Sequence, residues 1–443
     1  MSRFLAAFSV ALFASFAFAR DAGPNIVFIL ADDLGWGDVG FHGGTAPTPN
    51  LDQLADDGLE LTQHFVAPVC SPTRAGLLTG RYWSRFGVTT PKNELALPMG
   101  TVTLQRALQS QGYQTCLTGK WHLGSKPQWG PNHFGFDHSY GSLAGGVTSW
   151  SHRYKVGPFS RTWHRNERLI DETGHVTDLI ANEAVQWITQ RRDDPFFLYI
   201  PFTAVHLPIN ESQTWLDRVP QSIETEIARQ YAASIMHLDH AVGQIVRALD
   251  KNGHRQNTLI VFTSDNGGST ATNNTQPYPP DDSPPGKLTA NNGSLRGQKG
   301  SVYEGGVRVP TIVSWPNRIG PNQQTTPVCI VDWMPTFCNL AGYQSEQDLN
   351  WDGVDLSEWL INGAELPERS IYLAGPRKRS VALRHGVWKL IVHSDGGQEL
   401  FRIDRDPFEQ HNLVAEQKDR VQDMLRRLKR EQLADDTSVP GAR

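Results

Sequence analysis

The chain has 443 residues, of which 39% are hydrophobic and 20% charged, with a formal net charge of −5. That length fits two or three average domains, or one large core with an appendage, and the balance excludes a disordered chain, a coiled coil and a broad nucleic-acid-binding surface. Four cysteines exclude a disulfide-built scaffold, and 40 glycines with 28 prolines point to many ordered loops on a layered α/β core.

At the start, Arg3 supplies a positive charge, Phe4 to Phe16 is apolar, and Ala17-Phe18-Ala19 forms an A-x-A cleavage site. This predicts a secretory signal peptide over residues 1–19 and an exported protein, periplasmic or secreted. The apolar run is short for a membrane anchor, no Cys follows it for a lipid, and no later stretch approaches eighteen apolar residues, so no membrane span is expected.

Asn25 to Leu30 is a continuous apolar run, the mark of a strand buried on both faces. Leu51 to Asp57 reads as a short helix with Asn50 as N-cap and Gly58 after its end. Phe196 to Ile200 is a second buried strand. Tyr231, Ile235, Leu238, Val242, Ile245 and Leu249 repeat at helical spacing, which predicts a long amphipathic helix over 224–251. Thr258 to Thr263 is a third buried strand, and 273–292 a long surface loop. Buried strands alternating with helices predict a largely parallel sheet flanked by helices.

Past about residue 366 the pattern changes to short strands at 371–374, 380–384, 387–392 and 399–403, followed by a helix over 413–433. The chain therefore divides into residues 20–365, the main unit, and 366–443, a small four-stranded antiparallel sheet covered by one helix.

Asp32-Asp33 follows the first buried strand directly and Asp265-Asn266 follows the third, so both pairs fall at the same sheet edge, where open α/β sheets bind ligands. Three carboxylates and an amide form a hard oxygen set suited to Ca²⁺ or Mg²⁺ and poor for zinc. Each pair alone could instead cap a helix or a turn; two pairs at equivalent strand ends favour a metal. Cys70-Ser71-Pro72-Thr73-Arg74 reads as a helix start, with Cys70 where free N–H groups favour an anion and Arg74 one turn on as an oxyanion ligand.

The run C-S-P-T-R-A-G-L-L-T-G-R resembles the C-x-P-x-R signature of the type I sulfatases, including its G-R ending, Gly80-Arg81. The resemblance extends over nearly the whole chain after residue 19. P-N-I-V-F-I-L-A-D-D is similar to the family's opening strand and metal aspartates, and F-T-S-D-N-G-G to its distal metal pair. G-K-W-H-L-G is similar to its second signature, A-V-H-L-P to the segment bearing its third-region histidine, and L-R-G-Q-K-G to the segment bearing its late lysine. It implies an alkaline-phosphatase-like α/β sandwich and sulfuric ester hydrolysis, with Cys70 oxidised by a maturase to formylglycine (3-oxoalanine). It also implies Ca²⁺, with Mg²⁺ the alternative, held by Asp32, Asp33, Asp265, Asn266 and the modified Cys70. Lys120, His122, His206 and Lys299 join Cys70 and Arg74 as catalytic residues, Lys120, His206 and Lys299 also binding substrate. Ser149 and Ser151 are candidates for a further polar contact.

The chemistry of the residues agrees with that assignment. An aldehyde hydrate offers one hydroxyl to attack sulfur and a second whose deprotonation, to His122, releases sulfate. Lys120, Lys299, Arg74 and the cation hold the sulfate oxygens, and His206 with Lys299 serves the departing alcohol. Taken alone, either histidine reads as a hydrogen-bonded structural residue.

Within the family the segments most resemble the arylsulfatase B, or N-acetylgalactosamine-4-sulfatase, branch, and few cysteines point to a bacterial member. This implies a sulfated glycan substrate, with galactose- or N-acetylgalactosamine-type sulfate at O4. The segment Tyr140 to Arg168 is rich in Trp, His and Arg, and His164 and Arg165 are its candidate sugar-binding residues; a packed surface loop is the alternative. The competing functions are a phosphate or phosphonate ester hydrolase of the same superfamily and a non-catalytic glycan-binding protein. Cys116, Cys329 and Cys338 are expected as free buried thiols, with a 329–338 bridge the alternative. Sequons stand at Asn210, Asn273 and Asn292 and matter only in a host that glycosylates.

Overall fold

A computed structural model describes residues 23–190, 194–275 and 277–435; the expected signal peptide at 1–19 lies outside the described residues. The apolar run near the N-terminus becomes strand β1 (Asn25–Ala31), all seven residues buried. It is buried on both faces because it lies mid-sheet. With β2 (Gln114–Lys120), β3 (His138–Ser142), β4 (Phe196–Pro201) and β5 (Thr258–Ser264) it forms a parallel block in the order β5-β1-β4-β2-β3. Ile312–Ser314 joins antiparallel beyond β5 and Trp163–Arg165 antiparallel beyond β3; short strands complete ten. The mostly parallel sheet and flanking helices are those the sequence predicts.

Helices α1 (Pro49–Asp56), α3 (Val176–Thr189) and α4 (Glu226–Lys251) share one core with one face of the sheet. All six residues of the α4 repeat are buried there. Helix α1 starts two residues before the expected Leu51, because Pro49 occupies its first turn and Thr48 the N-cap position. Asn50 is thus inside the helix, and Asp239 of α4 accepts from Leu51 N at 2.8 Å and from Asn50 Nδ2 at 2.6 Å.

Helix α2 (Cys70–Thr79) packs on the opposite face among Trp83, Trp121 and Trp333, and every residue in it is buried. The same core runs on into the C-terminal antiparallel sheet of Ser370–Ala374, Ser380–His385, Trp388–His393 and Gln398–Arg402. Val421, Met424 and Leu428 of α5 (Lys418–Gln432) close that sheet. Helix α5 begins five residues later than expected, because Leu413 N bonds back to Leu400 O at 2.8 Å and Asn412 caps the turn.

None of the four buried cysteines is in a disulfide, so Cys329 and Cys338 are not bridged. The 273–292 loop lacks regular structure but is pinned. Asn273 is buried, donating to Ile209 O and Pro284 O, and Asn292 is buried against Gly268; as folded, neither amide is open to glycosylation. Among the described residues no helix is long and apolar enough to cross a membrane.

Candidate active site

Strand ends build the site. Ala31 of β1 lies in register with Ser264 of β5, so Asp32-Asp33 and Asp265-Asn266 leave the sheet side by side. Asp33 N donates to Asp265 Oδ1 at 3.3 Å and Asn266 Nδ2 to Asp33 Oδ1 at 2.7 Å. Helix α2 brings Cys70 to the same point. One ligand atom from each of Asp32, Asp33, Cys70 and Asp265 lies within 4.8 Å of the others, and all four residues are buried.

Cations surround this acidic centre. Lys120, at the end of β2, places Nζ 2.6 Å from Asp32 Oδ2. Lys299 Nζ is 2.6 Å from Asp33 Oδ1. Arg74 lies 2.8 Å from Asp265 Oδ2 and also donates to Lys120 O, which leaves its buried Nε without a partner. Arg74 therefore ties β5 to β2 as well as lending charge. Thr73 Oγ1 adds a bond to Asp265 O at 2.6 Å, and Ser71 Oγ one to His122 O at 2.8 Å.

The two histidines face this centre. His206 Nε2 is 3.7 Å from Asp33 Oδ2, and its Nδ1 contacts Leu207 O. His122 is buried with both ring nitrogens unpartnered. Gly145 and Gly146, which sequence reasoning did not single out, make room for them. A Cβ on Gly146 would stand 2.5 Å from His206 Nδ1, and one on Gly145 3.1 Å from His122 Nε2. The only sequence signal was a Gly-Gly pair in a run of small residues.

Burial pushes the Cys70 thiol up to about 11, so it is protonated at neutral pH. Burial would raise Asp32 and Asp33 too, but the charges of Lys120 and Lys299 outweigh it and hold both below the usual range. Asp265 moves up, through burial and the neighbouring Asp32 carboxylate. Burial, with Lys120 and Arg74 nearby, holds His122 far below its ordinary value; burial and Lys299 lower His206. Both rings are held in the neutral form.

The donor set fits a hard divalent cation. Asp32 Oδ1 and Asn266 Oδ1 are buried oxygens without a partner, beside two further carboxylates, and no imidazole nitrogen belongs to the cluster.

Several expected contacts lie elsewhere. His164 is fully buried, its Nδ1 against Gly141 O at 2.7 Å and its Nε2 against Ser139 Oγ at 3.0 Å, so it has no atom left for a sugar. Arg165 lies over the Tyr140 ring and pairs with Glu183 and Glu172. Strand pairing sets both residues beside β3, upstream of its site end, and burial removes His164 from the expected sugar contacts. Ser149 and Ser151 pin loops: Ser149 Oγ accepts from Asn210 N at 3.1 Å, and Ser151 Oγ meets Thr148 Oγ1 at 2.7 Å.

The family profile described as Sulfatase matches residues 24–343. The chain belongs to the sulfatase family. It is 33% identical to arylsulfatase J of Mus musculus over 85% of this chain, spanning 63% of that relative's length. It is 34% identical to N-acetylgalactosamine-6-sulfatase of Mus musculus, covering 81% of this chain and 70% of the relative. A crystal structure of Ps i-CgsB in complex with k-i-k-neocarrahexaose superposes with a TM-score of 0.84 at 32% identity, covering 95% of each chain. Sulfatase membership agrees with the α/β sandwich and the C-terminal four-stranded sheet described above.

Proposed function

We propose that this chain is an exported sulfatase that hydrolyses sulfate esters of a glycan, at O4 of a terminal galactose- or N-acetylgalactosamine-type unit. The observation that carries the reading is the convergence of Cys70, at the start of α2, with Asp32, Asp33 and Asp265 under the two lysines Lys120 and Lys299. Relatives named N-acetylgalactosamine-6-sulfatase and a structural neighbour in complex with a neocarrahexaose support the glycan class, while the O4 position rests on the sequence resemblance alone. Export rests on the sequence of residues 1–19.

In this reading a maturase converts Cys70 to formylglycine, whose hydrate supplies a nucleophilic hydroxyl and a second hydroxyl for sulfate release. A hard cation, Ca²⁺ or Mg²⁺, held by Asp32, Asp33, Asp265 and Asn266, supplies charge neutralisation at the sulfate oxygens. The chain's own residues do the rest. Lys120 and Lys299 hold the sulfate, and Arg74 keeps Asp265 on the reacting side. Asp265, the one of the three clustered aspartates whose pKa is raised, accepts the attacking hydroxyl's proton. His122, neutral and with free ring nitrogens, takes the second proton. His206 and Lys299, both within reach of solvent, serve the departing alcohol.

Parallel rates on 4-sulfated and 6-sulfated galactosamine sugars and on aryl sulfate and aryl phosphate esters test this. Sulfate release favouring the 4-sulfate is expected. Preference for 6-sulfate overturns the position, preference for phosphate overturns the reaction, and sugar binding without release leaves a glycan-binding protein.

A further inference from the structure

We propose that Tyr154, Lys155 and Tyr278 form a second oxyanion subsite beside Cys70, in which Lys155 receives a further sulfate or a carboxylate of the glycan. This rests on the desulfation reading above and narrows its substrate to a glycan carrying a second negative charge near the scissile sulfate.

The Tyr154 and Tyr278 rings meet edge to face, centroids 6.0 Å apart at 85°, and Lys155 Nζ lies 5.8 and 5.9 Å from their centroids. This aromatic corner abuts the reacting centre. A Cβ built on Gly145 would lie 3.0 Å from Tyr154 Cε2 and 3.1 Å from both His122 Cε1 and His122 Nε2, so only a glycine separates the two rings. On the other side Asn93 Nδ2 reaches Tyr154 OH at 3.4 Å, and the adjacent Lys92 N donates to Ser71 Oγ at 3.0 Å, one residue from Cys70.

Two segments distant in sequence are fastened to build this wall. Val156 N bonds to Pro277 O at 2.6 Å, and Asp281 accepts from Trp150 N and Ser151 N, each at 3.2 Å. Within the wall the Tyr278 hydroxyl is buried without a partner, a donor and acceptor for a sugar hydroxyl. Lys155 is half-buried and forms no ion pair with a carboxylate of the described residues. Burial and the charges of Lys299 and Lys120 depress its hold on its proton, a repulsion that a bound oxyanion relieves. A neutral sugar would stack on the tyrosines and leave that ammonium with the two rings but no anionic partner.

The test compares kcat/KM for sulfate release from a monosulfated galactosamine sugar, the same sugar with a second sulfate, and one linked to a uronate. Wild-type protein is expected to prefer a doubly charged substrate. Lys155→Met and Lys155→Glu should each cut that preference about 10-fold or more, the scale of one charged hydrogen bond. A fall confined to the disulfated sugar identifies sulfate as the second group, and one confined to the uronate identifies carboxylate. An unchanged ratio in both variants, with melting temperatures like wild type, overturns the subsite. If wild-type protein releases sulfate from no ester, the desulfation reading has failed, and calorimetric binding of the disulfated sugar decides instead. Affinity about 10-fold weaker in Lys155→Met then supports the subsite, and equal affinity overturns it.

Discussion

Lys299 Nζ spans both carboxylate oxygens of Asp33, at 2.6 and 2.7 Å, and reaches them from a loop 266 residues away in sequence. The ion pair sits at the mouth of the centre, with the lysine side chain 19% exposed and the aspartate 3%. Lys299→Met should lower kcat/KM on a small aryl sulfate by about 10²–10³-fold, the cost of removing one preorganised charge from an anionic transition state. Because Asp33 is buried and loses the partner that offsets its burial, the melting temperature should fall as well. A loss under tenfold would assign Lys299 to Asp33 alone and not to the sulfate.

The cation prediction has a readout independent of turnover. Protein stripped with a chelator should gain several degrees in melting temperature on adding Ca²⁺ at about 100 times its dissociation constant, equivalent to about 3 kcal/mol. Asp32→Asn and Asp265→Asn should each suppress that gain, since each removes a buried negative donor. Stoichiometric zinc by elemental analysis would contradict the oxygen-donor assignment.

Cys70 carries two expectations. In protein made with a maturase, the peptide containing residue 70 should be about 18 Da lighter, thiol having become aldehyde. Cys70→Ala should abolish turnover and leave fold and metal binding intact. In unconverted protein, the thiol pushed up to about 11 should resist iodoacetamide at pH 7, its labelling rate rising about tenfold per pH unit toward that value. Labelling at neutral pH as fast as a free thiol would refute the buried, protonated state.

Much of this centre was legible because its chemistry lies in contiguous motifs at strand ends. Asp32-Asp33, Asp265-Asn266 and Cys70 to Arg74 are each local, and the parallel sheet does the convergence. The sugar-side residues were not legible in the same way. In the segment Tyr140 to Arg168, which side chains face the site depends on strand register. His164 and Arg165 fall on a strand paired with β3, and pairing turns His164 into the core. Tyr154 and Lys155 lie in irregular chain, and Tyr278 comes from a loop more than a hundred residues later. No periodicity announces that contact. Helix ends erred for a similar reason: Thr48 displaces Asn50 as cap once Asp239 arrives from α4.

Stability should fall as pH rises past neutrality because of His237. Its ring is buried between Glu211 at 2.9 Å and Asp178 at 3.0 Å, stacked on His175 and Trp215. Burial opposes its charge, but the two carboxylates win and raise it to about 9. The folded-state value exceeds the unfolded one of about 6.5, so the stabilisation is complete below 6.5 and is lost as pH climbs through 9. Its size is about 3 kcal/mol at most. Melting temperature between pH 6 and 9.5 should therefore decline in wild type and flatten in His237→Gln. Parallel curves would show that His237 does not carry the dependence.

A buried triad couples the C-terminal residues to the site. Lys389 Nζ, on Trp388–His393, is 2.8 Å from Glu304 Oε1 and 2.8 Å from Glu409 Oε1, all three buried, and Glu304 stands five residues after Lys299. We propose residues 366–443 as a subdomain that does not fold apart from 20–365, since their apolar cores are continuous. Lys389→Met removes the cation shared by two buried carboxylates and leaves Glu304 only Arg308, at 3.7 Å, so it should cost about 3–5 kcal/mol, the scale of a broken buried ion pair. Adding Glu304→Gln and Glu409→Gln should restore much of that, because neutral amides need no counter-charge. Denaturant unfolding of the single and triple variants reads both numbers. If the single variant is as stable as wild type, the triad is not what joins the two parts.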